Sequence, residues 1–120
     1  MVHLVEKVSH LKCDVFLNDK ITLEEVNRYD KILLSPGPGI PSEAGIMPAL
    51  LAEYKTKKSI LGICLGLHAI AEAFQSPLKN LKQVYHGLSL PINITESDSL
   101  FTNCPKRFNV GRYHSWVVDE

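Results

Sequence analysis

The sequence predicts an α/β fold with a doubly wound, largely parallel sheet carrying helices on both faces. Three observations predict it. Short apolar runs alternate with stretches of helical periodicity through the first half of the chain, as in successive strand–helix units. A stiff loop rich in proline and glycine follows one such run, at the carboxyl end of a strand, where open α/β sheets place their ligands. And the stretch Ser59 to Phe74 turns abruptly from strand to helix around one cysteine.

Taken in order, Met1 to Leu11 carries Leu4, Val5, Val8 and Leu11 at helical spacing. Val15, Phe16 and Leu17 read as a short strand, and Asn18-Asp19 as a turn. Thr22 followed by Glu25 is a capping-box signal for a helix running to about Arg28. Lys31 to Ser35 forms the next apolar strand, ended by Pro36. Pro36 to Pro41 holds three prolines and two glycines, so it continues neither strand nor helix; it is a ligand-holding loop or a rigid connector. Pro48 suits the first turn of a helix reaching about Lys55.

Ser59 to Ile63 then forms an apolar run suited to a buried strand, and Leu67, Ile70, Ala71 and Phe74 make a helical stripe. Cys64 sits at the changeover, with Gly62 and Gly66 two residues away on either side. That is the layout of a nucleophile elbow with cysteine in place of serine. A thiol at the positive end of a helix is favoured as thiolate. The spacing alone is equally compatible with a small buried hydrophobe. In the second half, Gln83–Tyr85 and Leu88–Thr95 read as strands separated by a turn at His86-Gly87. Ser99 to Cys104 reads as a surface turn before further strand residues from Phe108 to Val118.

The chain has 120 residues, enough for one domain with a single core, so residues 1–120 are read as one domain. Thirteen basic side chains balance thirteen acidic ones, which offers no basic surface for nucleic acid. No segment has membrane-spanning length and no signal peptide opens the chain. Three cysteines without metal-ligand spacing suit free thiols in a cytoplasmic protein, and neither a metal nor a cofactor is expected.

Four motifs in sequence order now carry a resemblance: Ser-Pro-Gly-Pro-Gly-Ile-Pro, Gly-Ile-Cys-Leu-Gly, Tyr-His-Gly and Gly-Arg-Tyr-His-Ser-Trp. Together they resemble the class I (triad-type) glutamine amidotransferases, nearest to the small subunits of anthranilate and aminodeoxychorismate synthases, over nearly all of the chain. The resemblance implies a flavodoxin-like sheet and a cysteine that attacks the side-chain amide of L-glutamine. The ammonia so released would pass to a larger chorismate-binding synthase subunit, for anthranilate or para-aminobenzoate synthesis. By position, Cys64 would be the nucleophile, and the backbone N–H of Leu65 with a glycine N–H of the proline-rich loop would form the oxyanion hole. Gly37, Pro38 and Gly39 would also hold the glutamine, and Ser115 and Trp116 would bind its α-amino and α-carboxylate end.

The chain departs from the family pattern in three ways. Leu67-His68 stands where the family has His-Gln, so His68 would take the place of a substrate-contacting glutamine. The first residues fall inside the family's first helix, and the last fall short of the family's His-Pro-Glu region. The fold is therefore expected incomplete at both ends, and the chain alone a poor glutaminase. His68, His86 and His114 are not expected to act as the base. An amidotransferase-like partner-binding module without catalysis is the alternative of a different class; another cysteine hydrolase is a third, opposed by Arg112 to Trp116.

Overall fold

Parallel pairing of two apolar runs organises the first part of the chain in a computed structural model, which describes residues 1–119. Strand β1 (Lys31–Leu34) pairs with β2 (Ser59–Gly62), setting Ile32 opposite Ile60 and Leu34 opposite Gly62. The first unit also holds helices α1 (Val2–Ser9), α2 (Leu23–Val26), α3 (Met47–Tyr54) and α4 (Leu65–Ala73), of which α4 packs on both strands, with a short 3-10 turn at Pro41–Glu43. The described residues divide into two compact units, Met1–Pro77 and Leu78–Asp119.

In the first unit α3 is the centre of the core. Met47, Leu50, Leu51 and Tyr54 are all buried, Leu51 to 1% exposure, against Val26, Leu34, Leu65 and Ala69. Pro48 lies in the first turn of α3, where its missing N–H costs nothing. The expected capping box is formed: Thr22 Oγ1 accepts from Glu25 N–H, and Glu25 accepts from Thr22 N–H. Lys58 donates to the carbonyls of Asn27 and Tyr29, closing the chain just after α2. The α/β class with parallel pairing and helices packed on the sheet is what the sequence predicts. Among the described residues the parallel sheet has two strands.

Ser59–Gly62 forms the expected strand, but not a buried one: none of its residues is buried, because the face carrying Leu61 has no covering layer in the first unit. Two expected strand assignments also fail. Val15–Leu17 is not a strand: among the described residues it pairs with no strand, and its three apolar side chains are exposed. It is held instead by side chains, with Phe16 edge-on to Tyr29 and the Tyr29 hydroxyl donating to Asp14. β-Branched and aromatic composition favours a strand only where a neighbouring strand supplies the ladder, and none flanks this segment.

The second correction lies in the second unit. Gln83–Tyr85 and Leu88–Thr95 are not two strands with a turn between them. They belong to one long strand, β3 (Leu78–Asn93), antiparallel to β4 (Arg107–Val118). His86-Gly87 is a bulge in that ladder rather than a reversal, with Gly87 at φ 72° supplying the left-handed residue. The true reversal falls between β3 and β4, where a 3-10 turn at Ser99–Phe101 is capped by Asp98. No helix among the described residues is long and apolar enough to cross a membrane.

Candidate active site

The β1–β2 ladder runs one residue past the strands, because Ile63 N–H donates to Leu34 O at 3.0 Å. The next residue breaks away. Cys64 takes φ 55° and ψ −110°, a backbone conformation that L-residues avoid, and α4 begins immediately after it. Gly66 N–H returns to Ile63 O at 3.1 Å and His68 N–H to Cys64 O at 3.0 Å, so the turn closes within four residues. The flanking glycines are steric requirements. A Cβ on Gly62 would lie 2.4 Å from the Gly66 carbonyl, and one on Gly66 2.4 Å from Leu34 O. The result is an exposed cysteine on a strained elbow at the carboxyl end of a parallel strand.

The proline-rich loop, residues 36–41, follows β1 and lies against the same elbow. A Cβ on Gly37 would approach Leu65 Cδ2 to 2.9 Å, so the loop rests on the first residue of α4. Leu65 is 5% exposed and serves as that anchor. Gly39 has φ 78°, and the Glu43 carboxylate lies beside it. Among the described residues, the N–H groups of Gly37, Gly39 and Leu65 have no hydrogen-bond acceptor. The Leu65 N–H, unpaired at the head of α4 and next to the thiol, is suited to receive an oxygen from a ligand.

Within the first unit the fold thus sets Gly37 against Leu65, the residue after Cys64, with Pro38 and Gly39 in the same exposed loop. His68 is half-buried one turn along α4, and no hydrogen bond joins its ring to the thiol. Ser115 and Trp116 belong to β4 of the second unit, both half-buried, with Trp116 opposite Asn80. All three cysteines are free.

Sequence reading missed one constellation. The Tyr-His-Gly and Gly-Arg-Tyr-His-Ser-Trp motifs face each other across the β3–β4 ladder: Tyr85 pairs with His114 and His86 with Tyr113. Arg112 lies over the Tyr85 ring at 4.2 Å from its centroid and donates from Nε to His114 Nε2 at 3.0 Å. On the other face His86 meets Tyr113 edge-on at 5.2 Å. The available signal was the two-residue spacing of Arg112 and His114, which puts both on one strand face.

The whole chain, residues 1–120, matches the family model described as glutamine amidotransferase class-I. Anthranilate synthase component 2 of Lactococcus lactis is 41% identical over 107 residues, covering 88% of this chain and 54% of that protein. Anthranilate synthase component 2 of Methanocaldococcus jannaschii is 40% identical over 121 residues, covering 98% of this chain and 60% of its own length. The chain therefore spans little more than half the length of these relatives. A crystal structure from Thermoplasma acidophilum, of a protein described as a subunit of GMP synthase, superposes with a TM-score of 0.78 at 23% identity, over 96% of this chain and 58% of that one. At that identity the likeness speaks for fold alone. With family, relatives and elbow in agreement, the chain belongs to the class I glutamine amidotransferases.

Proposed function

We propose that this chain is the glutamine-hydrolysing component of a chorismate-aminating synthase, using Cys64 to release ammonia for a larger partner subunit. The observation that carries the reading is the elbow itself: an exposed thiol held at φ 55° next to the unpaired Leu65 N–H. A residue held in so unfavourable a conformation persists where surrounding structure enforces it, and such strain clusters at reactive positions.

In the proposed reaction the Cys64 thiolate attacks the side-chain carboxamide carbon of glutamine, and the carbonyl π electrons move onto oxygen. The N–H groups of Leu65 and of Gly37 or Gly39 would stabilise that oxyanion, a contribution of roughly a hundredfold or more in rate per donor. The tetrahedral intermediate collapses with cleavage of the C–N bond, the nitrogen leaving as ammonia after gaining a proton. Water then hydrolyses the glutamyl thioester, giving glutamate and regenerating the thiol. Gly37, Pro38 and Gly39 would hold the substrate side chain, His68 would contact it from α4, and Ser115 and Trp116 would bind its amino-acid end. Anthranilate or para-aminobenzoate would be the product according to the partner that receives the ammonia.

Alkylation by an electrophilic glutamine analogue, read by intact mass, tests the assignment. Saturable, stoichiometric labelling that glutamine protects against and Cys64→Ser eliminates is the expected result. Labelling that survives Cys64→Ser removes this residue as nucleophile. A thiol that shows no saturable labelling leaves the amidotransferase-like partner-binding module as the better reading.

A further inference from the structure

A two-stranded antiparallel ribbon has little to hold its register. None of the residues Leu78–Asp119 is buried, so hydrophobic patterning specifies the pairing only weakly, and such ribbons are marginally stable. A slip of one residue would exchange the faces of every side chain on β4. For Ser115 and Trp116 that exchange matters, because neighbouring strand residues point to opposite sides. The ladder is regular from Leu88 to Asn93 and again from Leu78 to Asn80, but irregular between Asn80 and Tyr85 and between His86 and Leu88. Four residues of β3, Leu81 to Val84, lie opposite Ser115 alone. The register there needs another source.

Arg112 supplies it, and we infer that Arg112 is a positioning residue that locks the β3–β4 register and thereby fixes which faces Ser115 and Trp116 present. The guanidinium reaches across the ribbon to stack on Tyr85, and along its own strand to donate to His114. These two partners are the Tyr85–His114 pair, the first register pair after the four-residue irregularity. A single planar group therefore joins both strands next to the stretch that lacks regular pairing. The bond requires His114 Nε2 to be the unprotonated nitrogen of its ring, since Arg112 can only donate. On the opposite face the His86–Tyr113 contact pins the adjacent pair. Arg112, His114 and Trp116 follow one another on one face of β4, so the lock leads directly to the indole. Lysine would not serve, because its ammonium has neither the flat face nor the fixed Nε–H.

The inference rests on the reading that Ser115 and Trp116 bind glutamine, and two readouts on the full chain separate the two ideas. The first is register: cross-strand NOEs between the Hα protons of Tyr85 and His114 are expected in the wild type and in Tyr85→Phe, which keeps the ring. They are expected to be lost or displaced in both Arg112→Leu and Arg112→Lys, while far-UV circular dichroism keeps the strand signal. Unchanged NOEs in both arginine variants overturn the inference, whatever glutamine does. The second is binding, followed by fluorescence of Trp116, the single tryptophan of the chain. Both arginine variants are expected to weaken glutamine binding about tenfold or more, with Tyr85→Phe close to wild type. Equal affinities in wild type and variants also overturn the inference. A wild-type indole that ignores glutamine, with register still lost in the arginine variants, keeps the lock and discards the ligand assignment.

Discussion

Cys64 shows how much one backbone angle pair decides. At φ 55° and ψ −110° it carries strain of order 1–3 kcal/mol. Cys64→Gly is therefore expected to raise stability by about 1 kcal/mol while removing the thiol; a lower urea midpoint would show that the elbow is not strained. The neighbouring glycine is expected to behave in the opposite sense. Gly66→Ala puts a methyl 2.4 Å from Leu34 O and 2.6 Å from Leu34 Cβ, one a backbone atom and the other close to it. A loss of about 3 kcal/mol or more is expected in the same titration, in the upper range for overpacking. At the candidate substrate contact, His68→Gln restores the residue type of the family pattern. It is expected to tighten glutamine binding, read as a lower half-saturating concentration for protection of Cys64 from the glutamine analogue.

At the scale of elements, α2 depends on its cap. It is only four residues long, too short to hold itself by propagation. Thr22→Ala removes the acceptor for Glu25 N–H and is expected to cost about 1 kcal/mol, measured by thermal or urea unfolding. The reciprocal half of the box gives a pH signature. Hydrogen bonds from the Thr22 backbone and then its hydroxyl hold the Glu25 carboxyl below its ordinary value of 4.5. Its folded pKa is depressed, so its stabilisation is complete above the unfolded value and fades as pH falls through the lower folded one. The unfolding midpoint of the wild type should therefore drop across that acidic range more steeply than that of Glu25→Gln; parallel curves would remove the carboxylate from the cap. The β3 ribbon shows the limit of reading elements locally. His86-Gly87 looks like a turn because glycine there must take positive φ, and it does, at 72°. Whether such a residue reverses a chain or bulges a strand is set by the partner across the ladder, here Tyr113 and Arg112.

For the whole molecule, the core of the first unit is small and concentrated on α3. Leu51, at 1% exposure, is its most enclosed side chain, and Leu51→Ala is expected to cost about 2–5 kcal/mol, a large share of a marginal total. Parallel sheets are ordinarily covered on both faces, yet Leu61 stands 46% exposed beside Leu33 on the face turned away from the core. Leu61→Lys is expected to reduce self-association in light scattering without lowering the unfolding midpoint; unchanged scattering would clear that face. Much was legible in sequence because it depends on residues near one another in the chain. The capping box, the proline at the head of α3 and the glycine-flanked cysteine are each local geometry, and the nucleophile candidate with its loop followed from them. Three things were not legible, because each depends on residues remote in sequence. Val15–Leu17 had the composition of a strand but no neighbour to pair with. Gly66 is irreplaceable on account of Leu34, and the Arg112 lock exists only because β3 brings Tyr85 across from His114. Local sequence determined which conformations each segment could adopt, and only tertiary contact, through hydrogen-bond partners and steric exclusion, decided among them.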